Sequence, residues 1–284
     1  MIPHALTFDI EDWYQGFLQR NISGWEDFPS HDEKNVYRLL DLLDEQRKKA
    51  TFFILGKYAE KHRGVIRSIQ ERGHEIASHG YAHIAIPLQS PPDFRKDVKR
   101  SLAVLEEIIG RRIIGHRGAR WSLGKNCEWA FDILTEEGIE YDSSVFPTSL
   151  HPFGNGESPC SPHMIKVPSG KVICEFPAQV LSFGPVRLPA AGGFYFRAIP
   201  LIFSQWALRQ SAKRNTSGMV YLHPYDLDPD VPRLKTGIPF RIVRYYHLDK
   251  TEQYLRKLLS IYSFSTVESL LPLYRQSVVS NLES

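Results

Sequence analysis

Short apolar runs alternate with helical periodicity along most of this chain, and no other feature limits its fold as much. Ala5-Leu6-Thr7-Phe8 reads as a brief strand ending at Asp9. Val36, Leu39, Leu40 and Leu43 then recur at i, i+3, i+4 and i+7, one face of an amphipathic helix, with Ser30 and Glu33 spaced as a capping box at its start. Thr51-Phe52-Phe53-Ile54-Leu55 reads as a buried strand closing at Gly56, followed by a helix to about Arg72. Gly73 stops that helix, and His74 to Ser78 forms the third strand. A helix carrying Val98, Leu102, Leu105 and Ile109 leads into Arg112-Ile113-Ile114-Gly115, and another over Trp129 to Glu137 leads into Ile139 to Asp142. Strands that alternate with helices need crossover connections, hence a parallel sheet in an α/β fold, either a barrel or a doubly wound sheet.

From about Ser144 to Pro200 the periodicity fades and proline and glycine accumulate, as in an insertion of short strands and loops. A helix near Leu201 to Lys213, a strand Met219 to Leu222 and a helix capped by Asp249 with Glu252 complete the pattern, so residues 1–284 are expected to form one domain. The net charge of +3 is small and evenly spread, which argues against a nucleic-acid partner. Cys127, Cys160 and Cys174 are odd in number and lack metal-type spacing, so a disulfide framework is not expected and a reducing compartment fits. No stretch approaches the roughly 18 apolar residues of a membrane span, and Met1-Ile2-Pro3-His4 runs into the first strand without a signal segment. The expectation is a soluble, cytoplasmic protein.

Chemistry-bearing residues fall where strands end, the edge at which parallel α/β folds gather function: Asp9, His79, Arg117, Asp142 and His223. His79 and His83, four residues apart, can reach one ion together, and a carboxylate would complete a set with open positions. Asp9, Glu11 and Asp12 supply the carboxylates. Asp9, at the strand end, is the expected general base; Glu11 shares its face by the two-residue alternation and is the first choice of metal ligand, with Asp12 its rival. His223 could give a proton to a leaving group, and Arg117 could hold Asp9 in place by a charge-assisted hydrogen bond. Trp13 beside the carboxylates, and Tyr195 after Gly192-Gly193 in a tight turn, offer aromatic walls for a sugar ring.

Taken together, these segments resemble the polysaccharide deacetylase (NodB homology, carbohydrate esterase family 4) family across nearly the whole chain. The order runs from Thr7-Phe8-Asp9 through Ser78-His79-Gly80-Tyr81-Ala82-His83 to Gly115-His116-Arg117-Gly118-Ala119 and Leu222-His223-Pro224. Tyr141-Asp142-Ser143-Ser144, Glu175-Phe176-Pro177 and the run ending at Arg197 resemble a branch associated with bacterial exopolysaccharide genes. The resemblance implies an irregular (β/α)7-type barrel and a divalent metal, zinc first, with cobalt, manganese, iron and nickel as alternatives. It implies Asp9 as base, His79 and His83 with one acidic residue as ligands, His223 as general acid, and the backbone N–H near Arg120 as an oxyanion donor. Two departures stand out: Ile10 follows the base where the family carries its metal-binding aspartate, and Ala119 replaces a proline. The implied activity is removal of N-acetyl groups from an N-acetylated sugar of a polysaccharide or its lipid-linked precursor. A small cyclic amide or an O-acetyl ester is the alternative substrate on the same site, and a non-catalytic carbohydrate-binding protein is the third reading.

Overall fold

The computed structural model describes residues 2–14, 30–235 and 237–282. The central strands are β1 (His4–Ile10), β2 (Thr51–Ile54), β3 (Glu75–Ser78), β4 (Gly115–His116) and β5 (Tyr141–Asp142). They are followed by β6 (His163–Lys166), β7 (Val172–Glu175), β8 (Val180–Phe183), β9 (Val186–Pro189), β10 (Met219–Leu222) and β11 (Phe264–Ser265). One sheet runs in the order β10-β1-β2-β3-β4-β5-β7-β6, with β11 also pairing β1, while β8 and β9 form a separate hairpin. Its pairings are parallel except β6 against β7. This is a mixed α/β, curled and incomplete barrel, the one of the two folds left open by the alternation that the family resemblance implied, with the short-strand insertion contributing β6 to β9.

Helices cover the sheet's outer face: α1 (Asp32–Glu45), α2 (Gly56–Lys61), α3 (Arg63–Glu71), α4 (Pro91–Ile109) and α5 (Trp129–Glu136). After the insertion come α6 (Gly193–Ala198), α7 (Leu201–Lys213), α8 (Ile238–Tyr245), α9 (Leu248–Ile261) and α10 (Val267–Leu282). The outer layer packs Val36, Leu39, Leu40 and Leu43 of α1 and Val98, Leu102, Leu105 and Ile109 of α4 against Leu6, Phe8, Phe52, Ile54 and Ile76 of the strands. The inner layer takes the alternate positions: Ala5, Phe53, Ala77, Tyr141, Cys174, Met219 and Tyr221. Successive strand residues point to opposite faces, so a β1 that buries Leu6, Phe8 and Ile10 outward must turn Thr7 and Asp9 inward. The hydrophobic pattern thereby aims the first candidate carboxylate.

Several local expectations give way to tertiary demands. The helix expected to reach Arg72 is two, broken at His62 (φ −122°, ψ 44°), whose ring stacks on Tyr58 at 4.3 Å. The Ser30–Glu33 capping box does not form; His31 is the N-cap, and the Ser30 hydroxyl donates to Asp12 Oδ1 at 2.6 Å. The strand expected from Arg112 pairs only at Gly115–His116. α9 begins at Leu248 with His247 as N-cap, so Asp249 lies in its first turn rather than capping it. Gly193 (φ +50°) opens the short helix α6 where a simple turn was expected. α8 and α10 were not anticipated.

Gly115 shows how tightly the inner layer is filled. A Cβ there would lie 2.1 Å from the Tyr141 ring, whose hydroxyl donates to the buried Glu75. Gly115→Ala is therefore expected to destabilise the fold by about 1–3 kcal/mol through overpacking, read as a lower urea midpoint with an unchanged slope.

Candidate active site

Arg117 follows β4 and is fully buried. Its five N–H groups meet five acceptors: Asp9 Oδ1 at 2.5 Å, Thr7 Oγ1 at 3.1 Å, the Ser143 carbonyl at 3.2 Å, Ser143 Oγ at 3.0 Å and Met219 Sδ at 3.0 Å. The guanidinium also lies over the rings of Phe53 (3.9 Å) and Trp121 (4.1 Å). An interior cation is tolerated only when its donors are satisfied and a counter-charge is near, and both conditions hold here. Asp9 is thus fixed through one oxygen, with its other oxygen left for chemistry.

His79 follows β3, and its Nδ1 is 2.8 Å from the Arg117 carbonyl. That bond assigns the proton to Nδ1 and leaves the Nε2 lone pair for a ligand, the usual outer support of a metal-binding imidazole. The loop then turns sharply at Gly80 (φ +73°) and His83 (φ +58°). Asp97 of α4 holds it by accepting from the backbone N–H groups of Tyr81 (2.7 Å) and Ala82 (3.1 Å). The turn brings donor atoms of Glu11, His79 and His83, all buried, within 4.8 Å of one another. Glu11 Oε2 is 2.7 Å from His83 Nε2, and Tyr225 donates its hydroxyl to Glu11 Oε1 at 3.1 Å. Asp12 lies outside this group, its oxygens accepting from Tyr14 (2.7 Å) and Ser30 (2.6 Å). Two imidazoles and a carboxylate, buried and converging, are a donor set suited to a divalent metal with open positions.

The electrostatics suit that set. Burial opposes ionisation of Glu11, but the neighbouring imidazoles of His83, His223 and His79 outweigh it and hold the carboxyl below the usual range. Burial pulls His79 down to about 4, so it is neutral at pH 7 with its lone pair free.

His223, just after β10, meets Asp226 Oδ2 twice, through Nδ1 at 2.9 Å and its backbone N–H at 3.0 Å. Asp226 is itself held by Arg197 from α6, at 3.2 Å. His223 Nε2 faces Glu11 Oε1 at 3.6 Å, and its ring stacks on Tyr225 with centroids 4.5 Å apart. Burial lowers the His223 pKa, but the hydrogen bond and charge of Asp226, with Glu11 and Asp9, raise it above the ordinary histidine value.

These side chains share one cavity of about 470 Å³ whose lining includes Asp9, Glu11, His79, His83 and His223. Arg120, Trp121, His151, Tyr195 and Arg244 contribute to its outer walls. Arg120 (φ 61°) and Trp121 (φ 52°) are consecutive residues in left-handed backbone, a conformation that costs about 1–3 kcal/mol each and persists only where packing enforces it. Here Trp121 is wedged between Arg117 and Tyr221. Trp13, expected on the substrate wall, is instead buried among Tyr14, Tyr225, Val231, Tyr245 and Leu248 and is absent from the cavity lining. Its aromatic surface is used to pack the segment after β10 against the end of β1. Asp142, fully buried, also lies off the cavity and pairs with His116 at 2.7 Å. Sequence reasoning missed Tyr225, Asp226, Arg197 and Arg244. In the sequence, Arg197 stands only as the end of a branch-like run, with no role in the site, and Asp226 lies three residues after His223.

Two outcomes follow from this geometry. In zinc titrations by calorimetry, Glu11→Ala should weaken binding by more than about 100-fold, whereas Asp12→Asn should change it only a few-fold. In NMR titrations, the His223 imidazole should titrate above 6.5, and Asp226→Asn should move it down, because the replacement removes the charge favouring the imidazolium. The raised folded pKa means that this pair stabilises the fold fully below about 6.5, and that the contribution is lost as pH rises through the folded pKa.

Comparison with known proteins adds the family. Residues 4–140 match the family described as Polysaccharide deacetylase, and residues 143–272 match a domain of unknown function, DUF3473. The chain is 26% identical over 118 residues to a peptidoglycan-N-acetylglucosamine deacetylase of Bacillus cereus, covering 37% of this chain and 43% of that protein. It is 29% identical over 97 residues to a chitooligosaccharide deacetylase of Sinorhizobium fredii, covering 34% of this chain and 43% of that protein. The chain therefore spans less than half the length of these curated relatives. In fold, it is similar to a crystal structure from Mycobacterium smegmatis assigned to the polysaccharide deacetylases, with TM-score 0.67 at 20% identity, covering 96% of this chain and 90% of that one. The two matched spans build one sheet, because β10 from the second pairs with β1 from the first. The segments that carry Asp9, His79 and Arg117 lie in the first span and His223 in the second, and the match assigns residues 4–140 to the polysaccharide deacetylase (NodB homology) family.

Proposed function

We propose that this chain is a metal-dependent hydrolase that removes the acetyl group from an N-acetylated sugar of a polysaccharide or its lipid-linked precursor. The observation that carries the reading is the convergence of Glu11, His79 and His83 on one point of a cavity that also holds Asp9 and His223. Glu11, His79 and His83 would hold the ion, with zinc the first choice; when bound it would supply Lewis acidity toward the acetyl carbonyl and acidify water.

The residues of the chain divide the proton work. Asp9, held through Oδ1 by Arg117, takes a proton from the attacking water on its second oxygen. The water oxygen bonds to the acetyl carbon, and the C–N bond then breaks. His223, kept cationic by Asp226, gives the proton on Nε2 to the departing nitrogen, so that acetate and a free amine leave. The backbone N–H of Arg120, at the kink on the cavity rim, is assigned to the developing oxyanion in the same proposal. Trp121 and Tyr195 present aromatic surface to the sugar ring, and Arg120 and Arg244 add positive charge to the outer cavity.

Acetate release from N-acetylglucosamine oligomers tests the reading. A chelator should abolish release and zinc or cobalt restore it, and Asp9→Asn should lower turnover by roughly 10²–10⁴-fold while zinc binding persists. Turnover indifferent to both chelator and Asp9→Asn would overturn the reading. Hydrolysis confined to O-acetyl esters or cyclic amides would reassign the substrate.

A further inference from the structure

α8 has two sides with different surroundings. Phe240, Val243 and Arg244 line the catalytic cavity. The other side leaves Ile238 72% and Ile242 48% exposed one turn apart, with Val243 45% exposed beside them and Tyr246, 42% exposed, just past the helix end. Large aliphatic side chains so exposed, grouped on one turn-by-turn stripe, mark a surface that meets something other than water.

The charge around the stripe limits what that is. Arg233, Lys235 and Arg241 are exposed beside it. From Val231 to Leu248 the sequence carries four Lys or Arg and no Asp or Glu, so these 18 residues hold +4 while the rest of the chain nets −1. A groove of about 760 Å³ runs between the Arg233–Lys235 segment and Ile238 and Ile242 of α8, with Tyr246 just past the helix. A polyanion such as nucleic acid would match the cations but leave the aliphatic stripe unsatisfied. An apolar stripe flanked by cations, with an aromatic at its end, is the pattern of a helix lying in the headgroup region of an anionic bilayer. No helix among the described residues is long and apolar enough to cross a membrane, so contact through this face would be peripheral.

We propose that α8 docks this chain on an anionic phospholipid surface, with Ile238, Ile242 and Tyr246 entering the headgroup layer and Arg233, Lys235 and Arg241 meeting lipid phosphates. Val243 belongs both to the exposed side and to the cavity wall, so docking brings the cavity mouth next to the bilayer. Surface binding does not depend on the proposed reaction, and its test reads vesicle binding alone.

The full chain is to be floated with vesicles of phosphatidylcholine plus phosphatidylglycerol, and with phosphatidylcholine alone. Binding to the anionic vesicles should be at least about tenfold tighter and should weaken as salt is raised, since each cation is worth roughly fivefold in partitioning. The double variant Ile238→Asp/Ile242→Asp should lose more than about tenfold in binding, and Arg241→Glu should lose binding without touching the apolar stripe. None of these three residues lines the catalytic cavity, so circular dichroism and turnover of a soluble oligomer should stay at wild-type levels. Failure to float with anionic vesicles, or equal flotation by the variants, overturns the proposal. So does a change of oligomeric state in the double variant with vesicle binding intact, which would give this face to a second copy of the chain.

Discussion

The buried ion pair between Arg117 and Asp9 sets the geometry on which the rest of the site depends. A guanidinium with no exposure is stable only if every donor is satisfied, and its acceptors come from β1, the segment after β5, and β10. Its backbone carbonyl fixes the His79 ring, so one residue positions both the candidate base and a candidate ligand. Removing one partner of such a pair leaves an uncompensated buried charge and costs about 3–5 kcal/mol. Strand register and site geometry are therefore coupled: a slip at β1 would turn Asp9 outward and strand the arginine.

Two histidines a few ångströms from Glu11 are driven in opposite directions by what surrounds them. His79 is desolvated and hydrogen-bonded to a carbonyl, which keeps it neutral and able to donate a lone pair. His223 is less enclosed, with 16% of its side chain exposed, and Asp226, backed by Arg197, favours its cation. Surroundings that separate two copies of one residue type in this way suit one to be the candidate ligand and the other the candidate acid. The stacked Tyr225 adds a third element, since its hydroxyl steadies Glu11 while its ring supports His223.

Much of this was legible in the chain. Asp9, His79, Arg117 and His223 could be placed because apolar runs mark strand ends, and the inward aim of Asp9 follows from burial of Leu6, Phe8 and Ile10 on the opposite face. The two-residue alternation favoured Glu11 over Asp12, but the capture of Asp12 by Tyr14 and Ser30, which keeps it from the group, was not legible. The same capture removed the capping box that Ser30 and Glu33 suggested locally. Trp13 was misplaced for a related reason: an aromatic next to carboxylates reads as a cleft wall, yet here it fills space under Tyr225 and Tyr245. Arg197 ends a branch-like run and Arg244 lies in none, but the reach of either into the site depends on tertiary packing, such as the bonds from Arg197 to the Val243 and Tyr246 carbonyls.

The central claim is that Glu11, His79 and His83 form the metal site, with Asp9 beside it. Anomalous diffraction at the zinc edge, on crystals grown with zinc, tests this most directly. The account predicts one strong peak bonded to Glu11, His79 and His83, with Asp12 still held by Tyr14 and Ser30. A peak ligated by Asp12 in place of Glu11, or no peak between the two imidazoles, would contradict it.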